Sequence, residues 1–209
     1  MTSRVTFVSP TTSPSLRCAR FYDGDSVDAV GSARARSAAG SLPSPARVLT
    51  SSSVRCRETA AALGLDGART PELDGLDVGR WRGRTLEEVA AADPEAVGRW
   101  LAEPGWADHG GESVQDVCER VGRWLESAQD TDGRTVAVVE PEVVRAAVVH
   151  VLGLPMAAFW RLDVPPLTVT ELSGRAGRWN LRLGQPLAAP DGVPDTASGA
   201  TSSGSTSAG

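Results

Sequence analysis

Apolar positions along this chain follow two periods, and the switches between them mark its elements. Val5 to Val8, Arg47-Val-Leu-Thr50 and Thr135 to Val139 are short apolar runs of strand length. Leu167 to Leu172 and Trp179 to Leu183 read as a terminal pair of strands. Between them the spacing turns helical. Asp28 to Ala39 is rich in Ala and Arg, and Val54 to Leu63 and Glu142 to Leu152 follow strands directly. Asp93-Pro94-Glu95 places an N-cap before a proline at the first helical position, predicting a helix to Leu101. Ser113-Val-Gln-Asp116 reads as a capping box. Behind it Val114, Val117, Val121, Trp124, Leu125 and Ala128 share one helical face. Strands alternating with helices predict an α/β fold, a three-layer α/β/α domain around a mainly parallel mixed sheet. That domain is expected over residues 1–186. From 187 to 209 the chain turns to Pro, Gly, Ser, Thr and Ala, which bury too little apolar surface to offset ordering, so a disordered tail is expected.

Length and composition narrow the function classes. The 209 residues suffice for one domain with a sizeable core, and 41% hydrophobic with 22% charged residues is ordinary for a soluble protein. A net charge of −5 argues against a broad nucleic-acid surface. All 21 basic residues are arginine, which reads as codon bias rather than chemistry. No apolar run approaches the roughly 18 residues of a membrane helix, and the start lacks a signal peptide's long apolar region. Cys18, Cys56 and Cys118 are an odd set without metal-ligand spacing, so a reducing cytoplasm, no metal and no cofactor are expected.

In open α/β sheets ligands bind beyond the carboxyl ends of the strands, here the turns after Val8, Thr50 and Val139. Arg55 falls in the first turn of the helix after Thr50, where free N–H groups and a guanidinium together grip an oxyanion. Arg57 is expected to be solvated, and Thr59 to pack or back-bond. Ser9, Thr11 and Thr12 form a polar turn able to hydrogen-bond a ligand, with no base placed to activate them. His109, among glycines, is expected to be exposed, and His150 to lie in the core. Trp100, Trp124 and Trp160 read as core. Trp81, in a Gly-flanked loop, either floors a ligand site or anchors its loop. Arg145 is expected to pair with Glu142 or Glu140.

Four segments carry a family resemblance: Thr50-Ser-Ser-Ser-Val-Arg55-Cys-Arg-Glu-Thr59-Ala60, Leu76-Asp-Val-Gly79-Arg-Trp-Arg-Gly83-Arg-Thr85, Gly110-Gly-Glu-Ser113 and Val138-Val-Glu-Pro-Glu-Val-Val-Arg145-Ala146. In this order and spacing, over roughly residues 4–184, the chain resembles the histidine phosphatase (phosphoglycerate-mutase-like) superfamily. The resemblance implies a phosphohistidine mechanism. A histidine after the first strand attacks phosphorus, two arginines clamp the phosphate, a second histidine assists and a carboxylate protonates the leaving oxygen. The chain departs from that pattern at four positions. Ser9 and Pro10 stand where the first arginine and the nucleophile belong, Gly75 where the acid belongs, and Glu140 in place of the second histidine. Of the central set only Arg55 remains. Proline has no nucleophile, and deleting a covalent nucleophile costs on the order of a millionfold in rate. Glu140, at a helix start before Pro141, would pair with Arg55 and repel a phosphate dianion.

The expectation is therefore a non-catalytic binding or regulatory pseudophosphatase. A small anionic ligand, a protein partner or a second copy in a homodimer are its candidate partners; nucleic acid and membrane are not. The alternatives are a repurposed enzyme using Glu140 with Arg55 and His109, and a residual phosphatase or phosphoglycerate-mutase-type phosphoester hydrolase.

Overall fold

A computed structural model describes residues 3–129, 133–175 and 178–188. Six strands form one sheet: β1 (Ser3–Val8), β2 (Arg47–Thr50), β3 (Ala68–Arg69), β4 (Gly133–Val138), β5 (Thr168–Arg175) and β6 (Arg178–Pro186). The helices are α1 (Pro14–Arg17), α2 (Ala29–Ser37), α3 (Val54–Ala62), α4 (Leu86–Ala92), α5 (Pro94–Ala102), α6 (Val114–Gln129) and α7 (Pro141–Leu152). Strand order is β3-β2-β4-β1-β5-β6, parallel from β3 to β1 and antiparallel across β5 and β6. The sheet is thus mixed and mainly parallel at its centre.

Register decides where the site can be. β1 runs level with β4 from Ser3 opposite Gly133 to Val8 opposite Val138, and Thr50 of β2 also faces Val138. Val8, Thr50 and Val138 therefore end at one level, and the turns that follow open at the same edge. Alternation along the strands sends Val5, Phe7, Ala137 and Leu172 to one face, under Val117, Val121 and Leu125 of α6 and Val143, Ala146 and Ala147 of α7. Val8, Val136, Val138 and Val169 go to the other, under Ala35 of α2 and Cys56 and Ala60 of α3. The small residues of α2 and α3 let those helices sit close on the valine-rich strands.

Helix starts follow the predicted chemistry. Asp28, Ser53 and Asp93 accept from the N–H groups of Gly31, Cys56 and Ala96. Ser113 and Asp116 satisfy each other's backbone N–H groups at the head of α6. Pattern alone does not reveal α1, α4 or β3. α4 carries a capping box between Thr85 and Glu88 but buries only Val89, so it has almost no apolar stripe. α1 is a single turn started by Pro14. The predicted tail falls largely on residues 189–209, outside the described residues. Its first residue, Leu187, is not disordered: it donates its N–H to the Leu167 carbonyl and packs against the core. Among the described residues no helix is long and apolar enough to cross a membrane.

Candidate functional site

Arg55 and Glu140 are brought together by the two helix starts. Arg55 lies in the first turn of α3, behind its Ser53 cap. Glu140 is the N-cap residue of α7 with Pro141 at the first helical position, and its carboxylate does not cap its own helix. It turns instead to Arg55. Nε of Arg55 lies 2.9 Å from both carboxylate oxygens, and Nη2 donates to Oε2 at 2.5 Å. The two side chains are only 10% and 4% exposed, so this is a buried fork-on-fork pair rather than a surface contact. Burial by itself would lower the Arg55 pKa; the charge and hydrogen bonds of Glu140, with Glu142 beyond, outweigh it and raise the pKa. Tyr22 closes the other side of the guanidinium, 4.5 Å from its ring centroid, while its hydroxyl accepts from the Val54 N–H. Neighbouring Cys56 is fully buried. Burial first, and Glu140 next, push its thiol well above the usual range.

Gly75 makes room for this arrangement. A Cβ there would stand 2.8 Å from Cγ and 3.1 Å from Cβ of Glu140. The residues at positions 75 and 140 are thus sterically linked. Gly75→Ala is expected to cost about 1–3 kcal/mol by overpacking, and less in a Glu140→Ser background. Urea midpoints of the four proteins check this, and an unaltered midpoint in Gly75→Ala alone would refute the contact.

The pair forms one wall of a cavity of about 550 Å³. Its charged lining sets Arg55 and Arg82 against Asp74, Asp77, Glu140 and Glu142. Phe21, Tyr22, Trp100 and Trp160 supply aromatic walls. Asp77 pairs with Arg82 at 2.9 Å; the Gly79 N–H first, and Arg82 after it, hold its pKa low. Asp74 accepts from Ser51 Oγ and the Ser52 N–H. Burial, then the negative charge of Glu140, raise the pKa of Glu142, which lies 3.7 Å from Arg145 as expected of that arginine. Four carboxyl groups and two guanidiniums thus line the cavity, and both guanidiniums are engaged in ion pairs.

The structure places the other predicted site residues elsewhere. Ser9 Oγ donates to the Pro165 carbonyl at 2.6 Å and accepts from the Thr168 N–H, which ties it to the start of β5. The Pro10 carbonyl accepts from Leu167. Thr11 donates its N–H to Thr59 Oγ1 and lies against Gly31, whose absent Cβ would sit 2.6 Å from Thr11 Oγ1. None of the three lines the cavity. His109 is 1% exposed, not solvated, because it packs between Trp81, tilted to it at 5.0 Å, and Trp106, edge-on at 5.3 Å. Trp81 is itself 2% exposed and anchors the loop rather than flooring the cavity, whereas Trp100 and Trp160, read as core, do line it. His150 is exposed on α7, its ring laid against Gly122 of α6; the small glycine lets an edge position be covered without entering the core. Arg57 is half-buried rather than solvated, with Nε shielded and unpartnered among the described residues. Tyr22 was invisible in advance: the chain's single tyrosine sits in an aperiodic polar loop.

His109 gives a pH signature. Its Nδ1 accepts from the Gly111 N–H at 3.0 Å, so the neutral ring carries its proton on Nε2. Burial, then the charge of Arg80, hold its pKa below the usual imidazole value against Asp77 and Asp108. The unfolded chain therefore takes up the proton first, and His109 removes stability as pH falls below about 6.5 while adding no penalty above it. In denaturation on either side of that value, His109→Gln is expected to lose less stability on acidification than the wild type. Equal losses would sink the assignment.

Residues 26–185 match the profile of the histidine phosphatase superfamily, branch 1. The chain is 32% identical over 166 residues to a glucosyl-3-phosphoglycerate phosphatase of Mycolicibacterium vanbaalenii, covering 65% of this chain and 74% of that protein. It is 35% identical over 106 residues to phosphoserine phosphatase 1 of Hydrogenobacter thermophilus, covering 49% of this chain and 50% of that one, so it spans only half the length of that relative. Among solved structures it resembles a mycobacterial glucosyl-3-phosphoglycerate phosphatase in complex with VO3, with a TM-score of 0.75 and 25% identity, covering 88% of this chain and 99% of that one.

Proposed function

The chain belongs to the histidine phosphatase superfamily, and on that premise we propose that it is a binding or regulatory member without phosphohistidine chemistry, its phosphate grip turned inward. The observation that carries this reading is the buried pair of Arg55 and Glu140. A phosphate monoester could reach the guanidinium only by displacing a carboxylate already held in bidentate geometry, within a cavity where carboxylates outnumber guanidiniums two to one. Ser9 and Pro10 support it, because the turn after β1 presents a hydroxyl committed to β5 and an imino acid. Gly75 supports it too, since a carboxylate there would collide with Glu140. The cavity's chemistry suits a neutral or cationic small molecule with an aromatic or aliphatic body better than an anion. The repurposed-enzyme alternative loses His109 as a partner, because that ring is packed among tryptophans and does not line the cavity.

A second reading, a residual phosphatase, rests on the retained Arg55 and on the phosphatase names of the relatives. Hydrolysis of an aryl phosphate and a panel of phosphorylated sugars and acids separates the two. The expected result is no turnover above an Arg55→Ala control from acid to alkaline pH. Turnover that Arg55→Ala abolishes would overturn the binding reading.

A further inference from the structure

The sheet carries a second concentration of charge, away from the Arg55 cavity and independent of how that cavity is read. α2 and α3 cover the carboxyl-terminal half of one sheet face, over Val8, Val136, Val138 and Val169. Toward the amino-terminal ends of β1 and β4 that cover stops. There the register assembles residues far apart in sequence: Arg4 of β1 lies opposite Arg134 of β4 and opposite Ser173 of β5, which in turn faces Asn180 of β6. One row further, Thr6 faces Glu171, and Glu171 faces Arg182. Arg4, Arg134 and Arg182 together line a groove of about 420 Å³.

Like charges on directly opposed strand positions, about 4.8 Å apart in backbone, repel each other. Here they are scarcely compensated. Among the described residues neither Arg4 nor Arg134 has a carboxylate within ion-pair distance, and Glu171 reaches only Arg182, at 3.8 Å with Arg182 71% exposed. Three arginines mounted on neighbouring strands, with Asn180 and Ser173 beside them, line one groove and supply several forks for closely spaced oxyanions. We propose that this groove is a second binding site, for a small molecule bearing a chain of two or more phosphates. A lone monoanion would neutralise one arginine and leave the others opposed, whereas a phosphate chain bridges the rows.

Calorimetric titration with inorganic tripolyphosphate and with adenosine triphosphate tests this, the two arms distinguishing a bare from a nucleotide-borne phosphate chain. Binding of at least one is expected. Arg134→Ser and Arg4→Gln should each weaken it about tenfold, the worth of one charge-assisted hydrogen bond, with neither variant melting below wild type because a repulsion is removed. Arg4 is exposed, so its variant keeps the test alive if Arg134→Ser does not fold. Arg82→Ser in the Arg55 cavity and Arg123→Ser, at an exposed position of α6, are expected to leave binding unchanged. Failure of both ligands to bind, or an equal loss in either control, would overturn the site.

Discussion

Glu140→Ala is expected to destabilise the protein by about 3–5 kcal/mol while creating an anion site that the wild type lacks. The carboxylate is 4% exposed and receives three hydrogen bonds from Arg55, which is itself 10% exposed. Removing it strands a guanidinium that cannot deprotonate at any working pH and is left largely buried at the cavity wall without a counter-charge. The loss is therefore mostly the penalty of an unpaired buried charge, not the intrinsic worth of the pair. Two further results follow from that distinction. Phosphate or vanadate should raise the urea midpoint of Glu140→Ala and leave that of the wild type unmoved, because the bound anion replaces the missing carboxylate. The double variant Arg55→Leu with Glu140→Leu should recover most of the lost stability, because no charge is then left buried. A Glu140→Ala protein as stable as wild type, or indifferent to phosphate, would show that the pair does not govern the pocket.

Trp81→Ala is expected to cost a further class of stability, about 3–5 kcal/mol for a fully buried indole replaced by a methyl group. Trp81 is 2% exposed and contacts Phe21, Trp100, Trp106 and His109 with centroids between 5.0 and 5.5 Å. This cluster, with Val78, Val89 and Ala96, is centred away from the two cores that flank the sheet and meets one of them through Leu76 and Trp160. Its collapse should loosen the segment bearing Asp77 and Arg82 before the sheet melts, so limited proteolysis is expected near that segment while far-ultraviolet circular dichroism stays close to wild type. Global loss of secondary structure at the same denaturant concentration would mean that the cluster and the sheet are one cooperative unit.

The alternation of apolar runs was enough to read the layers, whereas the meeting of Arg55 with Glu140 was legible only through the family resemblance, which set both positions at one pocket. What periodicity could not supply was depth. His109 looks exposed in sequence because glycines surround it. Those glycines instead let two loops close on each other: a Cβ at Gly79 would fall 2.3 Å from the His109 carbonyl, and one at Gly111 only 2.0 Å from that of Asp77. Ser9 and Thr11 sit at the predicted strand end, but their polar atoms are taken by β5 and α3, a choice made by register across more than a hundred residues in the case of Ser9. Tyr22 reaches the cavity from a segment with no pattern of its own, and Trp160, read as core, lines it as well. The three-arginine groove was equally hidden, since positions 4, 134 and 182 become neighbours only once the strand pairing is known.

The aromatic wall also makes the molecule its own optical instrument. Of the six tryptophans, Trp81, Trp100, Trp106 and Trp160 form one chain of ring contacts, the tightest at 4.2 Å between Trp100 and Trp160. Those two rings line the cavity, whereas Trp124 and Trp179 are built into the sheet core. Electronic coupling among the four clustered indoles should give a near-ultraviolet exciton signal set by their mutual angles, and filling the cavity would perturb it directly. The remaining pair would supply an internal reference insensitive to the pocket. A candidate compound could then be screened against the unlabelled protein, by light alone, before its identity or any turnover is known.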